Sequence, residues 1–166
     1  MTETQILNAL HNRLTAHTWR TFSDERQPEV HLGRTFFDTD DEPLPVVTVI
    51  PGVESAERIA HGLDRITLPL QVTALVNFPN GQQAHLQARA IFLELKSVLY
   101  AAPLVIDFEP YTLAHQGGGF DYPEISGPAD IPITVTCQVS FSTEHHPHEA
   151  TTSPDPSTWA STTYNP

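Results

Sequence analysis

Residues Ile131 to Ser142 (IPITVTCQVSFS) alternate strictly in polarity over twelve positions. Ile131, Ile133, Val135, Cys137, Val139 and Phe141 are apolar, while Pro132, Thr134, Thr136, Gln138, Ser140 and Ser142 are small or polar. A period of two in Val, Ile and Thr describes a strand with one dry face and one wet face. Arg65 to Phe78 repeats the pattern. There Ile66, Leu68, Leu70, Val72, Ala74, Val76 and Phe78 share one face, with Arg65, Thr67, Gln71, Thr73 and Asn77 opposite. Two long one-sided strands need a cover for their apolar faces, and the residues after Phe78 supply a helix.

That helix is expected over Gln82 to Ala102, turned in by Asn80-Gly81 and stopped by Pro103. Ala84, Ala88, Ile91, Leu95, Val98, Leu99 and Ala102 line its apolar face, with Leu86, Phe92 and Leu93 widening it. A second helix is expected over residues 2 to 17. Thr2 and Gln5 have the spacing of a capping box, and Ile6, Leu7, Leu10 and Leu14 form a stripe. Trp19 and Phe22 read as anchors for the chain leaving it. The expected class is therefore α+β: a mostly antiparallel sheet with two main helices packed on it, long loops and a mobile C-terminal tail.

Shorter elements fill the gaps. A short strand is read at Val30 to Phe37, another at Val46 to Ile50 before Pro51-Gly52, and a third at Leu104 to Phe108. Residues 53 to 63 suit a short helix or a loop, since Glu54, Glu57, Arg58 and His61 fall at helical spacings. Pro69 lacks a backbone donor and favours an edge or a bulge. Residues 109 to 130 show no strand or helix pattern, which is long for a loop in a compact domain. Within them Tyr111, Gly117, Gly118, Gly119, Phe120 and Tyr122 are candidate interface residues. The aromatics either order against a partner or tuck onto the domain's own core. Residues 1–143 form one domain, and 144–166, rich in His, Pro, Ser and Thr, form a flexible tail.

Composition excludes several functions. With 8 Lys and Arg against 20 Asp and Glu, the net charge is −12, unsuited to gripping nucleic acid or anionic membrane. No apolar run approaches the length of a membrane span, and the N-terminus lacks the pattern of a secretion signal. One cysteine makes no internal disulfide. A calcium loop starting at Asp38, in the cluster with Asp40, Asp41 and Glu42, would need Gly and Glu where Pro43 and Val49 stand. The cluster reads as a solvated turn. His145, His146 and His148 sit in the tail without fixed geometry, so no metal site is expected. Gly117 to Gly119 precede neither a Lys-Ser/Thr pair nor a helix, which excludes a phosphate cradle. No hydrolase, zinc-protease or redox motif occurs. Cys137 shares a face with Val135 and Val139, where a thiol is a small hydrophobe. No catalytic residue and no cofactor is expected.

The order of elements, with GGGFDYPEISGPADIPITVTCQVSF and LGRTFFDTDDEPLP as its most specific segments, resembles the tail-terminator proteins of long-tailed bacteriophages, also described as minor tail or tail-completion proteins. The likeness covers about residues 3 to 143. It implies a structural virion protein forming a ring, expected to be a hexamer, on the head-proximal end of the tail tube. Such a ring stops tube polymerisation and provides the surface for head–tail joining. The implied partners are copies of itself, the tail tube protein and a head-completion or connector protein of the neck. DNA is only passing cargo, no membrane is involved, and assembly takes place in the host cytoplasm. The alternatives are another neck protein, a small enzyme using Cys137 with a histidine, or a surface binding module.

Overall fold

The computed structural model describes residues 1–35, 44–79, 81–120 and 128–144. In chain order these form α1 (Glu3–Ala16), a 3-10 turn (Asp24–Arg26), β1 (Glu29–Leu32), β2 (Val46–Pro51), β3 (Ser55–Ala60) and β4 (Leu63–Phe78). There follow α2 (Gly81–Tyr100), β5 (Leu104–Ile106), β6 (Glu109–Tyr111), β7 (Leu113–Gly119) and β8 (Ala129–Glu144). The main sheet runs β1-β2-β4-β8-β7, with β3 paired to the first part of β4, and β5-β6 make a separate hairpin. Among the described strands only the β1-β2 pair is parallel. The class is α+β, mostly antiparallel with two helices on one face, as the alternation predicts.

At the centre, β4 and β8 are 16 residues each and pair antiparallel without a slip from Leu63↔Glu144 to Phe78↔Ala129. Their apolar positions, from Ile66 to Phe78 and from Ile131 to Phe141, are all buried in one cluster. The same register determines which pairs exchange backbone hydrogen bonds. The Gly52 amide donates to the Pro69 carbonyl, at 2.8 Å. The backbone of Pro69 therefore points toward β2 and β3, and Pro69↔Gln138 is a non-hydrogen-bonded pair. By the same parity so are Thr67↔Ser140, Thr73↔Thr134, Leu75↔Pro132 and Asn77↔Asp130. Side chains lie closer in such pairs. The Thr67 and Ser140 hydroxyls meet at 3.1 Å, those of Thr73 and Thr134 at 3.0 Å, and Asn77 donates to Asp130 at 2.6 Å.

Pro69 thus lies in the central strand and not at an edge. Its missing donor faces the break between β2 and β3 at Gly52–Glu54, which acts as a local edge. Pro132 obeys the same rule. Its missing donor points to the β7 side, beyond the last β7 partner at Gly119↔Thr134.

The helices are capped and tied in by side chains. The Thr2 hydroxyl accepts from the Gln5 amide at 3.3 Å, and Gln5 Oε1 accepts from the Thr2 amide at 2.9 Å, completing the capping box. Ile6, Leu10 and Leu14 are buried. α2 ends at Tyr100, two residues before its expected end, because Ala102 precedes Pro103 and is pushed out of helical angles. Ala102 is exposed, as are Leu86 and Leu93, at 73% and 56%. Leu86 sits about 200° round the helix from Ala84, so these leucines face outward and do not widen the buried stripe. Phe92 is half-buried.

Arg13 of α1 donates to the carbonyls of Leu99, Ala102 and Pro103 at 2.6–2.9 Å. Glu94 of α2 accepts from His17 and from the Arg20 amide, the Thr21 amide and the Thr21 hydroxyl. Burial pushes its pKa up, but these hydrogen bonds outweigh it and hold the carboxyl below its usual value.

The strand expected at Leu104–Phe108 ends at Ile106, and three further segments depart from expectation. Residues 53 to 63 are neither helix nor loop. β3 pairs with β4 around His61-Gly62, and Arg58–Asp64 (3.1 Å) and Glu57–Arg65 (3.6 Å) bridge the strands. The first short strand spans only Glu29–Leu32, with the chain turning at Gly33 (φ 68°), and Phe36 and Phe37 lie outside the described residues. Residues 109 to 119 are ordered as β6 and β7 instead of forming a loop. Residues 121–127 and 145–166, with Tyr122 and the tail histidines, lie outside the described residues, as does the Asp38–Glu42 cluster.

Gly118 shows why β7 is glycine-rich. A Cβ there would collide with the Thr134 carbonyl oxygen and stand 2.9 Å from Val135 Cα and 3.2 Å from the Phe92 ring, at a φ of 143°. Gly118→Ala is expected to cost about 1–3 kcal/mol by forcing β7 off β8, read as a lower urea midpoint. Glu94→Gln should cost about 1.5–3 kcal/mol by weakening charge-assisted bonds. A carboxyl with a depressed folded pKa adds stability above its unfolded pKa and loses it as pH falls. The variant's deficit should therefore shrink in acid, as measured by thermal melts across pH.

Candidate assembly surface

Of the six residues expected at an interface, the five that are described divide between the β5–β6 hairpin and β7 with the residue that follows it. Tyr111 ends β6, half-buried against the core and paired with Leu104. Gly117, Gly118 and Gly119 lie in β7, the strand at one end of the sheet. Phe120 stacks edge-on to Phe92 with centroids 5.9 Å apart and packs on the core. Gly118 and Phe120 meet at a single α2 side chain, Phe92, because the absent Cβ of Gly118 lets the strand approach.

The surface that the sheet offers lies opposite the helices. Between Arg65 and Asp130, the outward positions of β4 and β8 are Thr67, Pro69, Gln71, Thr73 and Leu75, with Pro132, Thr134, Thr136, Gln138 and Ser140. None is charged. On a chain of net charge −12 this strip is conspicuous, since interface centres are depleted in charged groups. A groove of about 380 Å³ crosses it, lined by Ile50, Pro51, Pro69, Gln71, Gln116 and Gln138 among others. At β2 the same face is covered locally, where the buried Thr48 hydroxyl donates to the Arg34 carbonyl at 2.7 Å.

The sheet ends differ. On one side stands β7, without Asp, Glu, Lys or Arg; on the other stand β1 and, alongside β4, the exposed β3 with Glu57 and Arg58. Large apolar side chains also reach solvent: Leu86 and Leu93 on the outer line of α2, and Val105 and Phe108 on the β5–β6 hairpin. Asp107 and Phe108 form the two-residue turn of that hairpin with φ of 51° and 68°. A left-handed residue with a Cβ costs roughly 1–2 kcal/mol. Sequence reasoning missed this turn because Asp-Phe is not the Asn-Gly or Asp-Gly that normally signals it.

Among the described residues no group of three or more His, Cys, Asp or Glu could hold a metal ion. His115 lies between the Tyr100 hydroxyl (3.1 Å to Nδ1) and Lys96 Nζ (3.3 Å to Nε2), bonding the β7 edge to α2. The ammonium can only donate, so Nε2 accepts and the ring proton sits on Nδ1. Burial pushes the Tyr100 hydroxyl up to about 12, with a smaller push from Cys137. Cys137 is 1% exposed, and burial raises its pKa to about 11. Neither shift suits a nucleophile near neutral pH.

Cys137 should therefore resist thiol reagents in the folded protein at about pH 8 and react on unfolding. A raised folded pKa means that stability is complete below the ordinary thiol pKa near 9 and is lost as pH rises through 11. Denaturant titrations across that window should show the decline, and Cys137→Ala should flatten part of it.

No family model matches the chain, and a comparison with curated proteins finds no match.

Proposed function

We propose that this chain is a phage tail terminator: a subunit of a closed ring, taken as a hexamer, that caps the head-proximal end of the tail tube, ends tube polymerisation and presents the joining surface to the head. The reading begins from the likeness of the GGGFDYPE and GPADIPITVTCQVSF segments to that family. The observation that carries it further is the unlike character of the two sheet ends flanking an uncharged open strip. A ring needs two different surfaces per subunit that fit each other, because its contacts are heterologous and must close. Outward-facing Leu86 and Leu93 supply further apolar surface of the kind that subunit contacts use. The acidic balance of the chain suits a channel through which DNA slides, since like charges do not adhere. In this reading the tube protein and a neck connector bind the two flat sides of the ring, and the protein belongs to the virion.

The enzyme alternative would need Cys137 as nucleophile, and its burial weighs against that. Removing the gene should give tails of unregulated length that fail to join heads, scored by electron microscopy. Ordinary, head-joined tails would sink the proposal. Labelling the protein and finding it on isolated heads, not isolated tails, would transfer it to the capsid side of the neck.

A further inference from the structure

The β5–β6 hairpin holds Phe108 almost wholly in solvent, at 98% exposure, on a turn whose left-handed angles favour Asn or Gly. Val105 and Pro110, opposite each other in register, are exposed beside it. Behind this apolar tip the base is fixed. Leu104 and Ile106 are buried, Gln5 donates to Asp107 at 2.8 Å, and Arg13 holds the Pro103 carbonyl. An exposed aromatic on a pre-shaped support has the form of an anchor.

A matching recess lies elsewhere on the same subunit. Where α1 and α2 end, a groove of about 460 Å³ is lined by Ala16, Val98, Ala101 and Ala102, with Arg13 and His17. Arg13 bonds to three carbonyls and to no carboxylate among the described residues, so its charge is not neutralised by a direct ion pair. His17 faces Glu94, which does not line the groove. The anchor is flanked by Asp107 and Glu109, both exposed. On a surface with only 8 Lys and Arg, an apolar recess beside a cation is a specific complement to an aromatic between two carboxylates.

We propose that Phe108 of one subunit docks in the α1–α2 groove of a second copy of this chain. Gln5, bonded to the tip, and Ala16, lining the groove, are separated along α1 by about 16 Å. Phe108 is exposed and not seated in the groove of its own subunit, and in a ring each copy offers its tip to one neighbour and its groove to the other. That arrangement is heterologous and rests on the ring reading above.

The test uses the full-length protein in sedimentation experiments. Phe108→Gly removes the anchor and suits the left-handed turn, so its melting temperature should hold or rise while self-association weakens about tenfold or more. Ala101→Glu places a like charge and bulk in the groove and should weaken association similarly. An equimolar mixture of the two variants retains one working tip and one working groove, and should give a dimer that does not extend. The contact is overturned by wild-type protein that stays monomeric at about 100 µM, where even weak specific contacts are populated, or by Phe108→Gly protein that associates normally. It is equally overturned by a mixture that stays monomeric. Tail length in the absence of the gene is scored separately. Unregulated tails together with a normally assembling Phe108→Gly protein would remove this contact and leave the terminator proposal standing.

Discussion

The register between β4 and β8 is the constraint on which the rest of the molecule depends. Sixteen residues of each strand pair without a slip, so one parity choice settles three matters at once. It sends the alternating apolar side chains from Ile66 to Phe78 and from Ile131 to Phe141 to the helices. It places Thr67, Thr73 and Asn77 in close pairs where side chains bond across the strands. It also turns the donorless nitrogens of Pro69 and Pro132 toward gaps in the neighbouring strands. A slip of one residue would reverse all three, exposing the core face and leaving prolines against carbonyls that need donors. The helices roof a face that the strand pairing has already selected.

That logic explains what could be read from the residues. Ile131–Ser142 and Arg65–Phe78 were legible because burial on one side only writes a period of two into the chain. α1 was legible to within a residue because its cap is local chemistry between Thr2 and Gln5. Cys137 was placed correctly by phase alone. Where burial is absent, the pattern is absent too. β3 is exposed throughout, so its charges, which pair across to β4, mimic helical spacing. β7 buries Leu113 and otherwise contributes thin backbone, so glycines that look like a loop are the condition for close strand approach. Leu86 and Leu93 misled for the opposite reason: apolar residues were assigned to a core that their angular position denies them.

The candidate surface was only partly legible. Its polar strip follows from the even positions of β8 and the odd positions of β4, but the absence of charge gains meaning only when the two strands lie side by side. The hairpin tip was hidden because its turn is made by residues that ordinarily avoid it. Phe120 and Gly118 pack against Phe92, so a glycine-rich segment that reads as a loop can be the strand that closes a sheet.

α2 carries no basic residue in its last turn. The positive end-group that a helix C-terminus attracts comes instead from Arg13, some ninety positions earlier in the chain. This long-distance cap makes the first helix and the end of the second mechanically one piece. Should α1 peel from the sheet, the final turn of α2 would fray and the seat of the β5–β6 hairpin would loosen with it. An event at the amino-terminal helix would then be felt at the hairpin without any movement of the central strands.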